Sequence, residues 1–154
     1  MKELDKLEAI LWSIALPGFP QLLAGSLVKG ILFVSLEILF NMMSHFNKAI
    51  MLSFLGETGQ AAEIVDYQWL MFYPCLYMFA MWDAYKLSLK EKEQFTYLPF
   101  AFGAYLVTVG LMYAPRVYLF NLFPGPVFLP ILALLPGLGI GFLIRSLIVR
   151  KKVY

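Results

Sequence analysis

Residues 27–45 read LVKGILFVSLEILFNMMSH, an apolar run whose interior holds a single acid, Glu37. Wound as an α-helix at 1.5 Å per residue, the run covers roughly 28 Å, close to the thickness of a bilayer's hydrocarbon core. The composition agrees with a helix of that kind. The chain has 154 residues, 61% hydrophobic and 14% charged, with a mean hydropathy of +0.75, whereas a soluble domain is about half apolar and a quarter charged. A water-soluble fold of this length has no interior large enough for so much apolar surface. The expectation is an all-α, polytopic membrane helix bundle forming one integral domain over 1–154, because four or five spans of about 20 residues use most of the length.

Downstream of the opening stretch, Asn47 to Asp66 reads as a connection. Ala49 to Leu55 is apolar but too short to span, and Gly56, Glu57, Thr58, Gly59 and Gln60 break it, leaving room for a short interfacial helix. Further full spans are expected at about 67–86, 97–114 and 127–149. The first carries Trp69 near one end and Trp82 and Tyr85 near the other, as aromatic belts require, with a kink at Pro74. The last is expected to be interrupted at Pro136 and Gly137. Leu87 to Thr96, with Lys90, Glu91, Lys92 and Glu93, is the most hydrophilic stretch and reads as a loop.

Upstream, the apolar segment 7–24 meets Pro17, Gly18 and Pro20 within four positions. Proline removes a backbone donor and glycine loosens a helix, so 17–20 should break this segment into a short or re-entrant helix. A kinked full span to about Ala24 is the alternative. The start mixes acids with lysines and lacks a small-residue cleavage pattern, so the first segment is expected to stay in the mature protein.

The basic residues set an orientation. The 86–94 loop and the end of the chain carry Lys86, Lys90, Lys92, Arg145, Arg150, Lys151 and Lys152, whereas the opposite connections offer Lys48 and Arg116. Lys and Arg concentrate on the cytoplasmic side, which places the C-terminus and Lys29 there. The N-terminus is inside if the first helix is re-entrant and outside if it spans.

Polar residues inside spans are costly, about 2.5–3.5 kcal/mol for a charge on insertion scales, and face a bundle interior or a watery cavity. Glu37, Asn41 and His45 recur every four residues and so stack on one face, with Ser44 and Lys48 nearby. Two readings are open: a relay for protons or ions, or an interhelical hydrogen-bond ladder ending at the interface with His45. Asp83 and Arg145 complete the polar set. Arg145 is expected either to pair with Glu37 or Asp83 across the bundle or to snorkel to the cytoplasmic interface.

Nothing in this set has the form of a catalytic site. No activated serine with a base, facing aspartate pair or helical HExxH motif is recognisable, and His45 has no partner at metal-ligand spacing. A single cysteine, Cys75, excludes an intramolecular disulfide framework and a cysteine-based zinc site. No catalytic residue, metal or cofactor is expected. LPGLGIG, 135–141, has no strand before it and so is not a nucleotide loop; Gly137 and Gly141 instead have the GxxxG spacing that lets helices approach closely. LPGLGIG echoes LPGFPQ at 16–21, each lying where an apolar segment is broken. A net charge of +2, with the basic residues at segment ends, argues against a nucleic acid partner.

The stretch LPGFPQLLAGSLVKGILFVSLE, 16–37, resembles the PGxGQxxxGxxxxG pattern of small bacterial multi-pass membrane proteins related to the two-transmembrane-helix domain, a family without an assigned reaction. Pro17, Gly18, Gln21, Gly25 and Gly30 match, while Pro20 replaces the usual second glycine. WDAYK, 82–86, looks like the Asp-containing cytoplasmic end of a later helix in such proteins. The resemblance implies two helices joined by a tight turn, in a bacterial plasma membrane, and carries no activity. Physically, the Gln21 amide is placed to satisfy backbone groups freed by the turn. The functional expectation is a non-enzymatic accessory, assembly or interaction protein whose partners are the lipid bilayer and another membrane protein or a second copy of the chain. A small permease or channel subunit, with Glu37, Asn41 and His45 along a polar path, is the alternative.

Overall fold

The structure, a computed structural model, describes residues 4–91 and 93–152. Lys92, counted above among the loop lysines, and the side chain of Lys152 lie outside the described residues. Among the described residues the fold is all-α: α1 Lys6–Ala15, α2 Phe19–Leu23, α3 Leu27–Ser44, α4 Phe46–Phe54, α5 Thr58–Ile64, α6 Tyr67–Leu70, α7 Tyr73–Leu87, α8 Tyr97–Tyr113 and α9 Gly125–Lys152. Two of these, α3 over Leu27–Ser44 and α9 over Gly125–Lys151, are long and apolar enough to cross a membrane, with mean hydropathies of 1.6 and 2.4.

The N-terminal segment folds back on itself. α1 is only roughly 15 Å long. It runs antiparallel to α7, with Lys6 beside Tyr85 and the Tyr77 hydroxyl donating to the Ile14 carbonyl oxygen. The chain then turns at Leu16–Gly18, and α2 returns toward the end from which α1 started. Gly18 has a φ of +99°, and a Cβ there would lie 2.7 Å from the Gly30 carbonyl oxygen and 2.9 Å from the Val34 nitrogen. Only glycine fits that turn against α3. Pro20 lies in the first turn of α2, where its missing N–H removes no helical bond, so it is accommodated in place of glycine.

α3, α7, α8 and α9 lie alongside one another, each antiparallel to the next. α3 meets α7 through Phe33 and Phe79 and through Phe40 and Phe72. α7 meets α8 through Tyr85 and Phe100. α8 and α9 approach most closely: a Cβ at Gly137 would lie 2.7 Å from the Phe102 carbonyl oxygen, and one at Gly141 would lie 2.4 Å from the Pro99 Cα. The opposite end is closed by α4 and α5, where Ala49, Leu52, Ala61 and Val65 pack with Leu70 and Leu111. Thr58 Oγ1 donates to the Phe123 carbonyl oxygen at 2.8 Å and ties α5 to the start of α9.

Two segments differ from the expectation. The stretch 67–86 is not one kinked helix: α6 stops at Leu70 and α7 begins at Tyr73. Pro74 would clash with the carbonyl four residues back, that of Leu70, so the helix ends there and Pro74 falls in the first turn of a new one. Conversely, Pro136 and Gly137 do not interrupt the last segment, which is helical throughout 125–152. Proline forfeits one hydrogen bond, and the close packing of α8 against Gly137 and Gly141 over the same turns holds the helix together.

The distribution of side chains is the reverse of that in a water-soluble core. Six alanines, Ala9, Ala49, Ala61, Ala80, Ala84 and Ala114, are completely buried, as is the Gln21 side chain. Large apolar residues point outward, among them Val28, Ile31 and Leu32 on α3 and Leu135, Leu143 and Leu147 on α9, with Val28 83% exposed. Small residues inside allow close helix approach, and apolar residues outside are stable against lipid.

Candidate functional site

Three polar nodes lie along the bundle. The innermost is built on Gln21. Its Nε2 donates to the Ala80 carbonyl oxygen at 2.8 Å and to Asp83 Oδ2 at 3.2 Å, so the amide of α2 grips α7. Its Oε1 is buried without a hydrogen-bond partner. Asp83, 7% exposed, accepts a second charged hydrogen bond at its other oxygen from Lys29 Nζ at 2.7 Å. Lys29 itself is half-exposed and reaches down from the first turn of α3. The Gln21 amide thus serves a helix-to-helix contact rather than the backbone freed by the PGFPQ turn.

The second node centres on Asn41. Its Nδ2 donates to Glu37 Oε1 at 3.3 Å and to Asn47 Oδ1 at 3.1 Å, and its own Oδ1 accepts from the Asn47 backbone N–H at 3.1 Å. Tyr73 Oη donates to the same Glu37 oxygen at 3.2 Å. His45 is not part of this stripe. α3 ends at Ser44, and His45 takes a left-handed φ of 57° as the chain turns into α4, leaving its side chain exposed. The helical spacing of four holds for Glu37 and Asn41 and fails at His45 because the helix stops one residue earlier. Asn47 takes the place expected of it.

The third node is at the end of the bundle that carries the 88–96 loop. Glu93 pairs with Lys6 of α1 and with Arg145 Nη2 of α9 at 2.7 Å, while Arg145 Nε donates to the Gln94 carbonyl oxygen at 3.1 Å. The Lys6 hydrogen bond, followed by that from Arg145, holds the Glu93 carboxyl down at about 2. Its carboxylate in turn pushes the Lys6 ammonium above its ordinary range. Arg145 therefore pairs with neither Glu37 nor Asp83. In an antiparallel bundle, the last turns of α9 lie beside the loop between α7 and α8, which brings Glu93 nearer than either Glu37 or Asp83.

Lys29, Asn47, Tyr73 and Glu93 are the residues whose partnership the sequence alone did not reveal. Lys29 carried a signal, since it shares an end of the bundle with Asp83 in the alternation of basic residues. Tyr73 carried none, because its hydroxyl meets Glu37 only through the pairing of α3 with α7.

Two cavities flank these nodes, each of about 540 Å³. One lies at the loop end, among Leu4, Asp5, Lys6, Ser88, Lys90 and Glu93. The other is an apolar groove between α7 and α8. Neither is lined by Glu37, Asn41, His45 or Asp83. No group of three metal-binding side chains occurs among the described residues. The chain matches no protein family model, no curated protein and no solved structure.

Proposed function

We propose that the chain is a four-span helical membrane protein with a re-entrant N-terminal hairpin, acting by helix packing as an accessory or assembly partner in a bacterial plasma membrane. The observation that carries this reading is the pairing of the polar groups with one another. Glu37, Asn41, Asp83 and Lys29 make contacts between helices, and none of them lines either cavity described above. The spans are α3, α6 with α7, α8 and α9. α8 at 17 residues covers roughly 26 Å, enough for a thin or locally adapted bilayer. Lys6, Lys29, Lys86, Lys90, Arg145, Arg150 and Lys151 gather at one end, which faces the cytoplasm by the positive-inside rule. The start of α1 and the loop 88–96 share that side. The chain performs no covalent chemistry of its own in this reading.

The second reading, a small permease, draws on the buried and unpartnered Oε1 of Gln21 beside Asp83, a polar atom with unused hydrogen-bonding capacity inside the bundle. Reconstitution into liposomes separates the two. Packing predicts no proton or solute flux above protein-free vesicles and a less stable Glu37→Gln variant. Flux that Glu37→Gln or Asp83→Asn abolishes while the fold is kept would replace the packing reading with the permease.

A further inference from the structure

The groove between α7 and α8 faces outward from the bundle and is formed by one stripe from each helix. Leu76, Phe79 and Trp82 come from α7, and Tyr97, Ala101 and Ala104 from α8. Within each helix these residues are three or four positions apart, so the groove runs along the helix axes rather than across them. The two alanines form a floor that bulkier residues would fill. Its lining is almost wholly apolar, while its loop end is not. Trp82 Nε1 donates to Thr96 Oγ1 at 3.2 Å, which fixes the indole at the rim. One turn beyond, on the same stripe, the exposed Lys86 holds its ammonium 5.2 Å from the centre of the Trp82 ring.

An apolar trough parallel to the bundle axis, ending in an aromatic ring and then a cation, has the polarity of a phospholipid. We propose that this groove binds an anionic phospholipid, with one acyl chain lying over Ala101 and Ala104 and the phosphate at Lys86. The charge selects the occupant. A second helix would have to supply its own acid at the rim to meet Lys86, whereas a phospholipid brings the apolar chain and the anion in one molecule. A zwitterionic lipid fills the trough equally well and gains less from the ammonium. The inference rests on the membrane reading above and adds a ligand to it.

The test uses Trp82 as the reporter. In the full chain with Trp12→Phe and Trp69→Phe, reconstituted in phosphatidylcholine vesicles, Trp82 emission is quenched by titrating either dibrominated phosphatidylglycerol or dibrominated phosphatidylcholine. The expected result is a preference for the anionic quencher of about fivefold, the factor one basic side chain contributes at a membrane surface. Lys86→Gln removes the preference, Lys86→Arg keeps it, and Lys90→Gln leaves it unchanged. Ala104→Leu fills the trough and lowers quenching by both lipids. Equal quenching by the two lipids in the Lys86 protein, or a preference that survives Lys86→Gln, overturns the lipid site and leaves the membrane reading standing. Absence of quenching by either lipid overturns both.

Discussion

The side-chain amide of Gln21 donates to the backbone carbonyl oxygen of Ala80, 59 positions away, and this one bond fastens the returning arm of the N-terminal hairpin to α7. A glutamine rather than an apolar residue sits there because the same nitrogen also reaches Asp83. The environment tolerates a neutral donor and punishes a second carboxylate. Gln21→Leu is expected to cost about 1 kcal/mol, the size of a typical interhelical hydrogen bond in a membrane. Gln21→Glu should cost more at pH 8 than at pH 5, because an ionised carboxylate would face Asp83. Unfolding in mixed micelles at the two pH values measures both, and equal, pH-independent losses for the two variants would refute this account.

Gly139 and Gly141 stand two residues apart on α9 and should respond oppositely to a methyl group. A Cβ at Gly139 meets nothing within 4 Å, whereas at Gly141 it would overlap the Pro99 backbone. Gly139→Ala is expected to be neutral or to stabilise by up to about 1 kcal/mol through helix propensity. Gly141→Ala should destabilise by about 1–3 kcal/mol, because backbone has to move. Thermal unfolding of the two variants in one detergent gives the comparison, and similar melting temperatures would contradict the close approach of α8 and α9.

The long apolar helix at 27–44, the loop around Glu93 and the break near Pro17 were legible because each rests on a local signal: length of apolar run, density of charge, or a residue that cannot continue a helix. The partners were not. Periodicity says which face a polar residue occupies but not which helix stands opposite, so Asp83 found Lys29 and Arg145 found Glu93. His45 was misplaced for a different reason, since a helix that ends on a left-handed histidine leaves none of the glycine or asparagine marks that announce such ends. At Pro136 a sound local rule lost to tertiary packing along α9.

Acid should weaken the loop end of the bundle through Glu93. Its carboxyl is held at about 2, below its ordinary 4.5, by Lys6 and Arg145. A depressed folded-state value means that the stabilisation is complete above pH 4.5 and is lost as pH falls toward about 2. Glu93→Gln should lower stability near neutral pH and flatten the pH dependence in that window. Unfolding midpoints measured between pH 2 and pH 6 for both proteins check this, and parallel curves would remove Glu93 as the cause.

The hairpin makes a prediction about sidedness. In a Cys75→Ser background, Asp5→Cys and Glu91→Cys should react with an impermeant thiol reagent from the same side, and Gly59→Cys from the other. Intact cells should label Gly59→Cys alone. Labelling of Asp5→Cys together with Gly59→Cys would mean that the N-terminal segment crosses the bilayer.

Glu93 also sets an order of events. One of its partners, Lys6, lies 87 positions earlier in the chain, and the other, Arg145, lies 52 positions later. During synthesis the hairpin and the 88–96 loop emerge long before α9 exists, and domains take shape from the N-terminus as they are made. The shared carboxylate therefore works as a closing clasp: it can hold α1 through Lys6 as soon as the loop is made, but the earliest helix and the latest are fastened through this one side chain only when α9 arrives.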